Sequence, residues 1–236
     1  MSGFRDIHAH LVYGMDDGAQ SKQDMEAMLD AAYADGVASL FATPHVIPGI
    51  RPFDEALFRA RLEEARRYCA QKGYGIELLP GAEIMYTPAL ETYAKERRIP
   101  TLADTQGVLM EFTPRISYDE LERAVELMEH CGYITILAHI ERYRCLAQGR
   151  HAERLKADHD VRYQVNGASV IKKPGLLRGR VLWRWLREGL IDYVATDTHN
   201  CGSRATNLTE AYGVLCSRVG REYAGELVGL EPDDLT

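Results

Sequence analysis

Short runs of β-branched and aliphatic residues alternate along the chain with longer stretches in which apolar side chains recur every three or four positions. This alternation predicts βα units around a parallel sheet. The first helix is the clearest case: Ser21 with Asp24 makes a capping box, Met25, Met28, Leu29 and Ala32 mark one face, and Gly36 supplies the stop. Further helices are expected over 54–72, from the Ser117/Glu120 cap to Gly132 with Leu121, Ala124, Val125 and Met128 on one face, over 181–188, and through Leu208, Tyr212 and Leu215. Strands are expected at 4–7, 37–42, 76–79, 108–112, 134–138, around 163–165 and at 191–195. At 236 residues the chain suits one domain spanning 1–236.

What stands just past each predicted strand carries the chemistry. In order these are His8 with His10, His45, Glu83, Glu111, His139, Asn166, and Asp197 with His199. Successive first members lie 37, 38, 28, 28, 27 and 31 residues apart, each about one βα unit. In a parallel barrel the C-terminal strand ends converge on one rim, so these residues would meet there. His8/His10 and Asp197/His199 are spaced i, i+2, which on an extended strand end puts both side chains on one face. Asp16 and Asp17, in an Asp-Asp-Gly loop before the first helix, add two carboxylates, either of which could be a turn residue. Glu83 and Glu111 sit in apolar segments, where an ionised carboxylate needs a metal or an arginine beside it. His130, His151 and His159 fall among charged neighbours and are expected on the solvated surface.

Charge and cysteine content narrow the partners. With 28 Lys and Arg against 35 Asp and Glu, the net charge of −7 gives no chain-wide basic field for nucleic acid or an anionic membrane. A phosphate-bearing ligand must therefore meet a local cluster, for which Arg142, Arg204 and Asn166 are the candidates beside the rim. No apolar run reaches the ~18 residues of a membrane span, and the first six residues lack a signal peptide's apolar centre, so a cytoplasmic protein is expected. Cys69, Cys131, Cys145, Cys201 and Cys216 contain no Cys-x-x-Cys pair and are read as mostly buried free thiols.

Imidazoles plus carboxylates without thiolates suit Mn²⁺, Zn²⁺ or Fe²⁺ rather than a structural zinc. Nine candidate ligands exceed one ion's needs and would serve two or three, with Glu83 a natural bridge. Three divalent ions bring six positive charges against four from Asp17, Glu83, Glu111 and Asp197, and the excess of two suits a phosphate dianion. Phosphoester hydrolysis follows, since such ions lower the pKa of bound water towards ~7 and no side-chain nucleophile is required. If a general acid is needed, His199 or a coordinated water would serve.

Several motifs occur in order: His8-Ala9-His10, Asp16-Asp17-Gly18, Ala42-Thr43-Pro44-His45, Gly81-Ala82-Glu83-Ile84 with Tyr86-Thr87-Pro88, Arg98-Ile99-Pro100-Thr101-Leu102, Ala138-His139-Ile140-Glu141-Arg142-Tyr143, Gln164-Val165-Asn166 and Asp197-Thr198-His199-Asn200. Together they closely resemble the PHP-type (polymerase and histidinol phosphatase) tyrosine-protein phosphatases of bacterial capsule and exopolysaccharide systems, the CpsB/CapC group. The resemblance implies a distorted (β/α)7 barrel with a manganese-preferring multinuclear site at the C-terminal rim; Fe²⁺, Zn²⁺, Co²⁺ or Mg²⁺ are alternatives. It implies the ligands His8, His10, Asp17, His45, Glu83, Glu111, His139, Asp197 and His199, with Arg142 and Arg204 binding phosphate. The implied substrate is phosphotyrosine on a bacterial tyrosine kinase that controls polysaccharide synthesis, and homo-oligomers are compatible with it. The end of the chain, from Leu230 to Thr236, lacks the Asn-Pro element that the resemblance leads one to expect. Competing readings are a small-molecule phosphatase acting on a compound such as histidinol phosphate, a metal-dependent amidohydrolase, and a non-catalytic metal-binding module. The amidohydrolase class typically needs a carbamylated lysine where Glu111 stands.

Overall fold

The computed structural model describes residues 3–172 and 176–230. The chain runs β1 (Phe4–Ala9), α1 (Lys22–Ala34), β2 (Val37–Ala42), β3 (His45–Val46), α2 (Glu55–Lys72), β4 (Glu77–Pro80), β5 (Glu83–Met85), α3 (Leu90–Lys95), β6 (Gly107–Glu111), α4 (Tyr118–His130), β7 (Ile134–Leu137), α5 (His151–Asp158), β8 (Val161–Asn166), α6 (Gly167–Ile171), α7 (Leu176–Arg187), β9 (Tyr193–Ala195), α8 (Leu208–Val219) and α9 (Arg221–Leu227). The caps form as the sequence requires. Ser21 Oγ accepts from Asp24 N at 3.2 Å while Asp24 Oδ2 accepts from Ser21 N at 2.9 Å, and Ser117 Oγ accepts from Glu120 N. Gly36 and Gly132, at φ +81° and +76°, then turn the chain into β2 and β7.

All paired strands are parallel, in the orders β1-β2-β4 and β3-β5-β6-β7-β8-β9. The nine strands among the described residues, against seven expected, come from two interruptions. Thr43-Pro44 separates β2 from β3, where proline has no N–H for the ladder. Gly81-Ala82 separates β4 from β5, and a Cβ at Gly81 would stand 2.7 Å from Leu102 Cδ2 and 3.1 Å from Thr43 Cγ2. Leu102 begins a 3-10 turn, Leu102–Asp104, that packs against both β4 and β6 below the break. Joined as continuous ribbons, β2 with β3 and β4 with β5 restore seven strands. The distortion is thus a wedge: the lower half of the ring is opened and plugged by Leu102.

The last strand returns to the first. Asp197 N donates to His8 O and His10 N to Thr198 O, both at 2.9 Å. Buried Asp6 accepts from Thr196 N at 3.0 Å and from Thr196 Oγ1 at 2.5 Å. Inside the ring lies a core that includes Ile7, Phe41, Leu102, Leu109, Ile136 and Tyr193, and a larger core fills the space between strands and helices. Among the described residues no helix is long and apolar enough to cross a membrane.

Two expectations are corrected. Of the histidines assigned to the surface, His130 is exposed, but His159 is largely buried with Nδ1 2.9 Å from Glu129 Oε2, and His151 lies against Tyr118 with Nδ1 3.0 Å from Cys145 O. Both rings have apolar faces to cover, which a charged sequence neighbourhood conceals. All five thiols are free, but only Cys69 and Cys145 are buried. The tail 231–236, where the missing Asn-Pro element was noted, lies outside the described residues.

Because Leu102 is fully buried between β4 and β6, which do not pair with each other, Leu102→Ala is expected to cost about 2–5 kcal/mol in urea-induced unfolding. A loss below about 1 kcal/mol would show that the wedge leaves no cavity when removed.

Candidate metal centre

A register shift between Asp6 and Ala9 sets the first two ligands. Ile7 belongs to the inner core and Ala9 to the outer one, so alternation breaks across the shift and His8 and His10 both turn to the rim. Their Nε2 atoms approach to 3.1 Å. His45 opens β3 and Glu83 opens β5, directly after the two interruptions, and the pair stand side by side in the ladder. The broken strands therefore deliver two predicted ligands. Glu111 ends β6, while His139 and Asp197 follow β7 and β9 in left-handed backbone at φ +35° and +54°. Such conformations cost about 1–3 kcal/mol for non-glycine residues and are kept where their surroundings enforce them. Here His139 N donates to Gln164 Oε1 at 2.7 Å and Asp197 N to His8 O.

Glu83 is the hub, 1% exposed. Its Oε2 lies 3.3 Å from His8 Nε2, 3.3 Å from His10 Nε2 and 3.0 Å from His45 Nδ1, and its Oε1 lies 2.9 Å from His139 Nε2. Asp197 Oδ1 stands 3.5 Å from His8 Nε2, 3.6 Å from His10 Nε2 and 3.5 Å from His199 Nδ1. Asp17, largely exposed, closes the outer side with Oδ1 3.5 Å from His45 Nε2 and 3.4 Å from His199 Nε2. Glu111 reaches His45 and His139 at 3.8 and 3.4 Å.

The donors fall into three groups whose ligand atoms lie within 4.8 Å of one another: His8, His10 and Asp197; His10, Asp17, His45 and His199; and His45, Glu83 and Glu111. His139, through Glu83 and Glu111, adjoins the third. All nine predicted ligands are thus brought together, with His10 and His45 shared between groups.

The donor set fits divalent ions. Two Nε2 atoms facing each other, with carboxylate oxygens around both, are a poor hydrogen-bond arrangement but a good coordination edge. His199 Nε2 is buried without a hydrogen-bond partner, which a cation accepting its lone pair would resolve.

Protonation follows the same crowding. Burial favours neutral Glu83, but the charge of His8 and hydrogen bonds from His10, His139 and His45 outweigh it and hold the carboxyl well below its usual range. Burial alone would lower His8, yet Glu83 and Asp197 raise it to about 9. Glu111 is raised by burial and by the charge of Glu83. His199 is lowered to about 4 by burial, His10 and Arg204.

Of the predicted anion-binding residues, Arg142 and Arg204 straddle Asp197, with Nη2 atoms 2.7 Å from Oδ2 and 2.6 Å from Oδ1. Each guanidinium keeps 39% of its side chain exposed at the rim. Asn166 is 6% exposed and its Nδ2 donates to Asp197 Oδ2 at 2.8 Å, so it is turned onto a ligand.

Two contributors are invisible in the ligand spacing. Asp16, beside the exposed Asp17, is buried, with Oδ2 2.7 Å from His10 Nδ1 and 2.8 Å from His45 N. Against the penalty of burial, the His10 hydrogen bond holds its carboxyl down to about 2. This is the carboxylate–histidine contact that fixes a ligand ring. Only the doubled aspartate hinted at it. Gln164 performs a related task for His8 and His139.

The profile of the family described as capsular polysaccharide synthesis, CpsB/CapC, matches residues 4–235. The tyrosine-protein phosphatase CpsB of Streptococcus pneumoniae is 31% identical over 229 residues, covering 94% of this chain and 93% of that protein. Tyrosine-protein phosphatase YwqE of Bacillus subtilis is 28% identical over 221 residues, covering 92% and 85%. Among solved structures, one described with YwqE from Bacillus subtilis and CpsB from Streptococcus pneumoniae as unique metal-dependent tyrosine phosphatases superposes with TM-score 0.85 at 28% identity, covering 95% of this chain and 91% of that one. A lactonase from Listeria monocytogenes superposes at 0.65 with 11% identity, covering 97% and 93%, and shares the fold alone.

Two variants test the geometry. A Cβ on Gly18 would sit 2.0 Å from His10 O, so Gly18→Ala must displace the loop bearing Asp16 and Asp17; divalent metal bound per chain, measured by elemental analysis, is expected to fall while the fold persists by circular dichroism. Glu83→Ala removes the contact common to four imidazoles, and full metal content in that variant would refute the hub.

Proposed function

The chain belongs to the CpsB/CapC capsular polysaccharide synthesis family, and from that membership we propose that it is a manganese-preferring protein-tyrosine phosphatase. Its substrate is phosphotyrosine on a bacterial tyrosine kinase that regulates capsular or exopolysaccharide synthesis. The carrying observation is the convergence of nine imidazole and carboxylate ligands on one rim with two arginines at its mouth. The whole chain, 1–236, acts as a single catalytic domain in the cytoplasm, in keeping with five free thiols.

In this reading His8, His10, Asp17, His45, Glu83, Glu111, His139, Asp197 and His199 hold two or three ions. Bound divalent ions supply Lewis acidity and bring the pKa of water towards ~7. Arg142 and Arg204 approach Asp197 from both sides, so a phosphoryl group entering between them meets two planar donor forks. The positive charge also faces the place where charge develops on the phosphoryl oxygens. A tyrosine phenolate leaves with a conjugate-acid pKa of about 10, which reduces the need for proton donation. His199, held near 4, is neutral at pH 7 and better suited to ligation than to general-acid work. Glu141 supports Asn166 at the end of β8, accepting from Asn166 N at 3.1 Å and Ser169 Oγ at 2.7 Å.

The experiment compares hydrolysis of a phosphotyrosine peptide, a phosphoserine peptide and histidinol phosphate with Mn²⁺ present and after chelation. Chelator-sensitive preference for phosphotyrosine is expected, and preference for histidinol phosphate would replace the substrate while keeping the site. Removing a charged hydrogen-bond donor costs about 1.5–3 kcal/mol, so Arg142→Ala and Arg204→Ala are each expected to lose roughly 10–100-fold in kcat/KM for phosphotyrosine peptide. Unchanged kcat/KM in both would remove the arginines from the phosphate site.

A further inference from the structure

The strand β8 supplies none of the nine ligands, yet its rim-facing residues are polar. Tyr163 and Val165 belong to the outer core, while the alternate positions Gln164 and Asn166 are buried at 0% and 6% exposure beside the ligands. A buried amide is costly unless its donors and acceptors are used. These two amides therefore call for a role.

Their hydrogen bonds form a chain whose direction is fixed at both ends. His139 N can only donate, so the Gln164 atom 2.7 Å away is its carbonyl oxygen, Oε1. Gln164 Nε2 then donates to Asn166 Oδ1 at 2.9 Å, and Asn166 Nδ2 donates to Asp197 Oδ2 at 2.8 Å, where an ionised carboxylate can only accept. Neither amide can flip without opposing two donors at one end or two acceptors at the other. His8 Nδ1 lies 3.3 Å from the same Gln164 Oε1, so this nitrogen must carry hydrogen. With Nδ1 committed in this way, Nε2, the atom facing Glu83, Asp197 and His10, is the nitrogen that would give up its proton to bind an ion. At the other end, Asn166 joins Arg142 on Oδ2 of Asp197, while Oδ1, which also accepts from Arg204 at 2.6 Å, faces His8, His10 and His199.

We propose that Gln164 and Asn166 form a one-way amide relay that fixes His8 with its proton on Nδ1 and holds Asp197 with Oδ1 toward the ions. Both are positioning residues, and the relay ties the ligands of β1, β7 and β9 to one strand that binds no ion itself. The inference rests on the metal-centre reading of the rim and is independent of the substrate.

Three full-length variants separate the relay from simple packing. Gln164→Glu keeps the shape and the acceptor for His8 but has no donor for Asn166; Asn166→Asp sets a second carboxylate against Asp197; Gln164→Met keeps the volume and removes the relay. Manganese affinity by titration calorimetry is expected to weaken about 10–100-fold in each. In the zinc-loaded wild type, long-range proton–nitrogen spectra of the imidazoles should show His8 protonated at Nδ1, a signature that packing alone does not set. Gln164→Met should lose or redistribute that signal. Affinity unchanged within about twofold in Gln164→Glu and Asn166→Asp, or a His8 proton on Nε2 in the wild type, would overturn the relay. If Gln164→Met does not fold, the two charge-introducing variants and the wild-type spectrum still decide. Neither readout uses a substrate, so a failed phosphotyrosine assignment leaves the result standing.

Discussion

Four imidazoles meet one buried carboxylate at Glu83, and most of the upper half of the molecule is arranged around that contact. A carboxylate at 1% exposure is tolerable only if positive or protonated partners surround it. Meeting that condition requires histidines from β1, β3 and the segment after β7 to reach one point, and it explains local departures from regular structure. The shift in β1 turns the face shared by His8 and His10 to the rim, the breaks after β2 and β4 start new strands at His45 and Glu83, and His139 enters left-handed backbone. Each irregularity that would weaken a sheet places a ligand.

Residue type and spacing carried most of the site. The candidate ligands are chemically distinctive and stand one βα unit apart, so their convergence is legible in the sequence. Asp16 was harder, because adjacent aspartates in a loop have the same signature whether one coordinates and the other orients; the difference lies in which is buried, 2% against 66% of the side chain exposed. Gln164 and Asn166 look like ordinary polar strand residues, and the bond from Asn166 to Asp197 is not legible locally because its partner lies 31 residues away in sequence.

The fold shows the same division. Capping boxes, glycine stops and apolar periodicity placed the main helices and the seven ribbons. The wedge was not legible, although Pro44 and Gly81 marked both breaks, because the cause is a non-local contact: Leu102 arrives from a separate turn to occupy space beside Gly81. Likewise His151 and His159 sit among charged residues in sequence but against Tyr118 and Glu129 in space. Local pattern fixes what a segment can form, and distant packing decides where it is interrupted or covered.

The closure between the first and last strands has a consequence for how the protein is made. The Asp6–Thr196 bonds span 190 residues, and His8 and His10 wait for Asp197 and His199 before any of their shared groups is complete. At about 5–20 residues per second, the ribosome takes roughly 10–40 s to add that length. During this interval the nascent chain presents an unfinished chelate from its first strand. The two groups that include His10 are therefore completed only when the last strand joins the first, so an ion there would be held by the closed ring and not by the emerging N-terminus.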